Sequence, residues 1–230
     1  MILRLLVIVL PVLLLACGRP LTESEQAFAR SMLGDELAAQ RVRLVDGAPV
    51  AAVTFRRKAR PRVTCRERIL PPATEAIVTA KPAAVTLFNT VFFDKAWYAD
   101  NYMNTYPERI SLSAAMLLAH ELTHVWQWQN RAKTGYSPLR AAAEHGASDD
   151  PYLFELDAKP DFLSYAYEQQ GAIVEEYVCC RALDPGAART QRLHDMLKAA
   201  FPVSDLPRDG KRESGVYLPW DKAEIKNICS

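Results

Sequence analysis

The stretch that decides the fold of the second half of the chain is Ser111-Leu112-Ser113-Ala114-Ala115-Met116-Leu117-Leu118-Ala119-His120-Glu121-Leu122-Thr123-His124-Val125-Trp126. Most of these residues are good helix formers, and a serine can cap the start of a helix. An α-helix turns about 100° per residue, so His120 and His124 project from the same face, one turn apart. The pattern therefore predicts a helix that presents two imidazoles side by side.

This pair of histidines is a predicted metal site. Neutral imidazole is a good zinc ligand, and two imidazoles one helical turn apart can reach the same ion. Glu121 lies about 100° round the helix from His120, beside the metal and free to act on a metal-bound water. Zinc lowers the pKa of that water to about 7, so Glu121 can accept its proton and return it to a leaving nitrogen. The motif predicts hydrolysis of amide bonds through an activated water.

A catalytic zinc site takes three protein ligands and a water, so a third ligand has to come from another part of the chain. The metzincin pattern would place a histidine at position 130, where this chain has Asn130. A carboxylate from a second helix, as in gluzincins, is the better expectation. The helix predicted from Asp161 to about Ala182 offers Glu168, Glu175 and Glu176.

Two segments together carry a resemblance to a known family: Ala119-His120-Glu121-Leu122-Thr123-His124-Val125-Trp126-Gln127 and Tyr167-Glu168-Gln169-Gln170-Gly171-Ala172-Ile173-Val174-Glu175-Glu176-Tyr177. They resemble predicted bacterial HExxH metallopeptidases, among them Vgr-related and contractile-injection-associated domains. The resemblance covers the chain from about Val85 to Tyr177. This chain has Gly171 where the commoner pattern is Glu-Gln-Gln-Ala. The resemblance implies a gluzincin-like zinc peptidase.

The same resemblance implies that Glu168 is the third zinc ligand, because the ligand glutamate of gluzincins begins such a segment and small residues follow it. Gly171 and Ala172 are those small residues, and they let two helices approach. Glu176 is the alternative, either as the ligand or as a partner of a ligating histidine. Glu175 is expected to be solvated.

Stabilising donors for a transition state would come from histidine, tyrosine or arginine side chains. The sequence does not choose among the candidates, which are His145, His194, Tyr152, Tyr167 and Tyr217.

The N-terminus predicts export. Leu5 to Leu15 is apolar and follows a single basic residue, as in a secretory signal peptide, and it is too short for a transmembrane helix. Leu14-Leu15-Ala16-Cys17 resembles a bacterial lipobox, so we expect residues 1–17 to be a leader that ends at a lipidated Cys17 held at a membrane. Gly18, in place of aspartate, resembles the pattern of outer-membrane lipoproteins. The expected location is the bacterial cell envelope, facing the periplasm or the exterior.

Four cysteines remain after lipidation: Cys65, Cys179, Cys180 and Cys229. An oxidising compartment favours two disulfides. The connectivity that joins adjacent Cys179 and Cys180 is the least favourable, because a vicinal bridge is strained. The other two connectivities stay open, and no CxxC pair supports a cysteine metal site.

The remaining 18–230 segment predicts one α+β domain, with a β-rich first half and a helical second half. We expect a helix over Glu25–Gln40 and strands at Val42–Val45, Val50–Phe55, Ala76–Val78 and Val85–Phe93. Helices are expected over Ser111–Arg131, Asp161–Ala182 and Ala187–Ala200, with a short strand at Tyr152–Leu156.

The charges point away from nucleic acid as a partner. Lys and Arg total 28 against 27 for Asp and Glu, and the basic run from Arg56 to Arg68 lacks the interleaved aromatic residues of a stacking platform, which favours a solvated loop. Two functions remain. One is a zinc-dependent peptidase acting on proteins or peptides, and the other is a catalytically silent zinc-binding module for assembly or binding at the envelope.

Overall fold

The computed structural model describes residues 18–48, 53–56, 62–72, 77–147, 150–206 and 215–230. Its first helix is α1 (Glu23–Leu33), which is short and amphipathic. The predicted leader and Cys17 lie outside the described residues. Thr22 starts α1 through a capping box with Glu25. Helix α1 ends earlier than the predicted helix Glu25–Gln40, because Gly34 adopts a positive φ of 59°. Two 3₁₀ turns, Gly34–Glu36 and Ala39–Arg41, follow it.

The predicted strands form small sheets. The first sheet has the order β1-β5-β4, in which β1 and β5 are parallel and β5 and β4 are antiparallel. The strand expected over Val85–Phe93 is a hairpin, because the chain turns at Phe88, which has a φ of 59°. Two further sheets pair β2 with β3 and β6 with β7. The strand bounds are β1 (Arg43–Asp46), β2 (Val53–Arg56), β3 (Ile77–Ala80), β4 (Ala84–Leu87), β5 (Thr90–Phe93), β6 (Ile110–Ser111) and β7 (Val216–Tyr217).

Two long helices, α3 (Leu112–Gln129) and α6 (Tyr167–Leu183), pack along each other in the second half of the chain. Both are buried on nearly every side, and Trp126 at the C-terminal end of α3 is fully enclosed. Ser111 stands at the N-cap of α3, but its side chain makes no capping bond. The remaining helices are α2 (Cys65–Ile69), α4 (Arg131–Thr134), α5 (Pro138–Ala147) and α7 (Ala188–Ala200).

The α+β class is confirmed, with strands early and helices dominating later. The strand expected at Tyr152–Leu156 is wrong: these residues form turns and irregular chain. Instead of pairing with a strand, the carbonyl groups of Glu155 and Leu156 accept hydrogen bonds from the Tyr165 hydroxyl, at 2.7 and 2.8 Å. None of the described helices is long and apolar enough to cross a membrane.

The four cysteines form two disulfides, Cys65–Cys179 and Cys180–Cys229. Adjacent Cys179 and Cys180 therefore attach α6 to two different segments, as the unfavourable geometry of a vicinal bridge predicts. The first joins α2 to α6, and the second joins the C-terminal segment to α6.

The basic run contributes to packing rather than forming a solvated loop, as far as its described side chains show. Arg62 donates hydrogen bonds to the carbonyl groups of Glu67 and Leu70 at the end of α2. Arg68 donates to the carbonyl group of Ile228 in the C-terminal segment at 2.7 Å. Positions 57–61 of the run lie outside the described residues.

A buried ion pair attaches α1 to its surroundings. The Arg19 guanidinium donates to both carboxylate oxygens of Glu25, at 2.7 and 2.8 Å, and the amides of Thr22 and Tyr102 donate to the same carboxylate. Burial by itself would raise the pKa of Glu25, but Arg19 and these amides hold the pKa below its ordinary value.

We predict that Glu25→Gln destabilises the protein by roughly 3 kcal/mol, because breaking a buried ion pair from one side leaves the other charge uncompensated. The folded-state pKa is lowered, so this stabilisation is present above the unfolded-state pKa and is lost as the pH falls through the folded-state pKa. Urea unfolding at neutral and acidic pH measures both effects. Exposed Glu23→Gln is the control, and equal loss in both variants would contradict the prediction.

Candidate metal centre

The predicted imidazole pair lies on α3 in the expected arrangement. The Nε2 atoms of His120 and His124 are 3.1 Å apart, and both side chains are buried. Their spacing follows from the helix alone, because four residues advance slightly more than one turn. The two nitrogen atoms point at a common position between α3 and α6.

Glu168 reaches this position from the first turn of α6. Its Oε2 atom lies 3.3 Å from His120 Nε2, and its Oε1 atom lies 3.5 Å from His124 Nε2. The N-terminal end of α6 is fixed by Glu144 of α5, whose carboxylate accepts hydrogen bonds from the amides of Tyr167 and Glu168 at 2.9 and 3.0 Å. The structure thus brings together the three residues that the sequence analysis named as ligands.

Gly171 lets the two helices meet. A Cβ atom at this position would lie 2.6 Å from Cε1 and 2.8 Å from both nitrogen atoms of the His120 ring. Such distances are shorter than van der Waals contact, so the ring occupies the space that any larger residue would take. The expectation that a small residue here permits close approach is confirmed.

The far nitrogen of each imidazole faces an acceptor. His124 Nδ1 donates to Gln127 Oε1 at 2.8 Å; the Gln127 amide is oriented by its own bonds to Gln170 and the Tyr167 carbonyl. His120 Nδ1 lies 3.3 Å from Glu175 Oε1, although the pair is not aligned as a hydrogen bond. A hydrogen on each Nδ1 leaves each Nε2 with a lone pair facing inward.

Two lone pairs and a carboxylate therefore converge in a buried space, where a metal ion or protons have to lie between them to offset their mutual repulsion. Zinc–ligand bonds of about 2.0 to 2.1 Å in a tetrahedron place the ligand atoms about 3.3 Å from one another. The observed separations are 3.1, 3.3 and 3.5 Å. The residues present fit a divalent metal ion of this kind, and the three side chains form a group capable of holding one.

The pKa values of the buried histidines and of Glu168 show that the site favours positive charge. Burial alone would lower the pKa of His120 and His124, but the Glu168 carboxylate, joined at His120 by Glu175, raises both pKa values above the ordinary one. Burial would raise the pKa of Glu168, yet the surrounding histidines hold it far below its usual range. Protons and a metal ion therefore compete for the same nitrogen atoms.

Glu121, the predicted general base, is buried beside the histidines. Its Oε2 atom accepts a hydrogen bond of 2.7 Å from the hydroxyl of Thr86 on β4. Thr86 lies inward because alternate residues of a strand face opposite sides. The sequence analysis missed this residue, since no local pattern links β4 to α3.

Two of the five candidate donors lie at the centre. His145 Nε2 is 3.2 Å from Glu168 Oε1, and Tyr152 contacts the rings of both His120 and His145, with centroids 5.9 Å apart in each case. Tyr136, which the sequence analysis did not name, contacts the His124 ring at 6.1 Å. The side chains of the other three candidates make their contacts elsewhere. The Tyr167 hydroxyl donates to the Thr134 carbonyl, the His194 ring packs against Tyr177, and the Tyr217 hydroxyl accepts from Arg109.

The two later glutamates of α6 have roles opposite to those expected. Glu175 is buried against His120 and Arg66, so the expectation of a solvated side chain is wrong. Glu176 faces away from the metal position, where it binds the Cys65 amide and Arg189. Helix geometry explains the difference: seven residues from Glu168 return within about 20° of the same direction, whereas eight residues overshoot it by about 80°.

A second group of side chains with metal-binding atoms is not a metal site. The sulfur atoms of Cys65, Cys180 and Cys229 lie within 4.8 Å of one another. All three belong to disulfides, and a thiolate is the form of cysteine that binds metal.

We predict that Gly171→Ala weakens metal binding by about 10- to 100-fold, because the new methyl group has to displace a ligand imidazole. Competition with a chromogenic chelator measures the Kd. Gly146→Ala on α5 is the matched control, since a Cβ there meets no atom within 4 Å. The control should bind metal normally and gain up to about 1 kcal/mol of stability. An unchanged Kd for Gly171→Ala would contradict the geometry.

Comparison with known proteins gave one structural neighbour. No family model matches the chain, and no curated protein matches it significantly. Among solved structures, the effector domain of Pseudomonas aeruginosa VgrG2b is similar, with 21% sequence identity, a TM-score of 0.48, and coverage of 81% of this chain and 83% of that one. A similarity of this level does not identify an activity.

Proposed function

We propose that the chain is a zinc-dependent peptidase in which Glu121 is the general base. The observation that carries the proposal is the convergence of His120, His124 and Glu168 at the separations of a tetrahedral site, with a buried carboxylate alongside. Three protein ligands leave one position for water, which is the arrangement of catalytic rather than structural zinc. Two imidazoles and a carboxylate are a ligand set that catalytic zinc sites use.

The metal would be held by His120, His124 and Glu168, and when bound it would supply a water of pKa about 7 and polarise a carbonyl group. Glu121 accepts the proton of the attacking water and later donates it to the leaving nitrogen. Thr86 holds one carboxylate oxygen, Oε2, through its hydroxyl. We assign the proton transfer to the other oxygen, Oε1.

His145 and Tyr152 are the donors placed to stabilise negative charge on a substrate oxygen. The hydrogen bond between His145 and Glu168 holds the imidazole at the edge of the centre and raises the pKa of His145 above the ordinary value. Burial, together with the charges of Glu168 and Glu121, raises the pKa of Tyr152, so its phenol keeps its proton. Both side chains are partly exposed and can contact a substrate.

The position of β4 favours a peptide as the substrate. This strand is an outer strand of its sheet within the described residues, and its Thr86 touches the general base. An extended peptide can pair with such a strand through main-chain hydrogen bonds, which would hold a scissile bond beside Glu121.

We also propose that the enzyme acts in the bacterial cell envelope, attached through lipidated Cys17. The two disulfides support an oxidising compartment.

We predict that the purified protein binds one zinc ion per chain, and that His120→Ala, His124→Ala and Glu168→Ala each lose it. Glu121→Gln should keep the zinc and lose about 10²- to 10⁴-fold in hydrolysis of unfolded casein, because the proton acceptor is gone. Metal analysis and peptide release measure the two effects.

The two functions left open by the sequence separate in this experiment. Zinc binding with no cleavage by the wild type, across casein, a peptide library and cell-wall sacculi, would favour the silent binding module. Unchanged cleavage by Glu121→Gln would contradict the proposed role of the base.

We predict that Tyr152→Phe and His145→Gln each lower kcat by about 10²- to 10³-fold with little change in KM, because each removes a donor to charge that develops only in the transition state. Tyr217→Phe is the control, since its hydroxyl binds Arg109 away from the centre. Steady-state kinetics decide the matter, and an equal effect of all three substitutions would contradict the assignment.

A further inference from the structure

Helix α2 is attached to α6 directly behind the candidate metal centre. The Cys65–Cys179 disulfide joins the two helices covalently. Beside it, the Cys65 amide donates to Glu176 Oε2 at 2.7 Å, and Arg66 donates to Glu175 Oε2 at 2.9 Å. Three successive attachments thus connect two residues of α2 to α6.

Glu175 connects this attachment to a metal ligand. Its Oε2 atom binds Arg66, while its Oε1 atom lies 3.3 Å from His120 Nδ1. The Glu175 side chain is only 8% exposed, whereas that of Arg66 is 48% exposed. A carboxylate so enclosed needs a cationic partner to stay charged and oriented, and Arg66 is that partner on the side away from His120.

The position of Arg66 is set by the contacts that hold the short helix α2 in place. Helix α2 has five residues, far fewer than the roughly 12 to 15 that an isolated helix needs to be even marginally stable. Its placement therefore comes from its attachments. The disulfide is the covalent one, and it lies at the residue immediately before Arg66.

We propose that α2 is a positioning element of the metal centre: the Cys65–Cys179 disulfide holds Arg66 against Glu175, and this pair holds the His120 imidazole with Nε2 directed at the metal. Metal affinity then depends on whether this disulfide is formed. The chain retains its metal in an oxidising compartment and binds it weakly where the cysteines are reduced. This inference rests on the metal site of the proposed function.

The second disulfide provides an internal control. Cys180–Cys229 attaches the C-terminal segment to the same helix one residue further on. Beside it, the Cys229 amide donates to Asp184 Oδ2 at 3.2 Å. Arg68 links this segment to α2, but α2 keeps its own bond to α6 when Cys180–Cys229 is absent. Loss of the second disulfide should therefore lower stability without releasing Arg66.

The test uses serine substitutions in place of reducing agents. Three of the four sulfur atoms lie within 4.8 Å of one another, so free thiols in the reduced protein would compete for zinc and obscure the result. The variants are Arg66→Gln, Glu175→Gln and the pair Cys65→Ser with Cys179→Ser. The matched controls are Glu25→Gln, a buried carboxylate on α1 that is likewise paired with an arginine, and the pair Cys180→Ser with Cys229→Ser.

The measurements are the Kd for Zn²⁺ by chelator competition and the visible spectrum of the Co²⁺-loaded protein, both taken well below the melting temperature of each variant. We expect the three test variants to bind about 10- to 100-fold more weakly, as for other groups that orient a ligand histidine. Their Co²⁺ bands should also change. The controls should keep the wild-type Kd and spectrum while losing thermal stability.

Adding Arg66→Gln to the Cys65→Ser, Cys179→Ser pair should cost no further affinity, since all three residues act through one contact. Wild-type affinity in Arg66→Gln would overturn the inference and leave the proposed function intact, and it decides the matter even where the serine pair does not fold. Equal loss in the Glu25→Gln control would overturn it as well. Absence of metal binding by the wild type would instead overturn the proposed function.

Discussion

The structure depends on one close approach, where the His120 ring lies against Gly171. A Cβ atom at residue 171 would stand 2.6 Å from the ring, so the separation of α3 and α6 is set by the absence of a side chain. At this separation Glu168 comes within 3.5 Å of both imidazoles. At a wider separation, the side chains of His120, His124 and Glu168 would stay buried but lose their contacts with one another. The unfavourable free energy of these unpaired polar groups would then have to be offset by packing elsewhere. The apolar faces of both helices, with Trp126 enclosed at one end, maintain the approach.

The electrostatics of the centre follow from this enclosure. The far nitrogen of each imidazole faces an acceptor, Gln127 for His124 and Glu175 for His120, so both imidazoles present a lone pair to the same position as Glu168. The set has an excess of acceptors, which explains why the pKa values of the histidines rise despite burial. Orientation of ligands by a surrounding layer of hydrogen-bonding groups is a general property of metal sites. Here that layer comes from α3 itself on one side and from α6 on the other.

The β-rich half and the short helices complete the centre from outside. Thr86 of β4 orients Glu121, Glu144 of α5 fixes the start of α6, and α2 brings Arg66 to Glu175. Each of these residues lies on an element too short to keep its place alone, and each is positioned by sheet pairing, hydrogen bonds or a disulfide. The small sheets and the Cys65–Cys179 disulfide therefore support the geometry of two long helices, which in turn carry His120, His124 and Glu168.

The sequence by itself determined what one helix can determine: that His120, Glu121 and His124 share a helix, at angles set by its regular turn, and that a later glutamate helix could meet it. It also predicted the α+β class and indicated that a vicinal disulfide is the least favourable connectivity. The same helical turn places Glu175, and not Glu176, on the face of Glu168, since seven residues complete nearly two turns. Only the tertiary structure decided that Thr86, His145, Tyr152 and Arg66 belong to the centre. The positions of these four residues depend on how separate segments are oriented when they pack against α3 and α6. The periodicity within one segment does not predict its orientation relative to another segment.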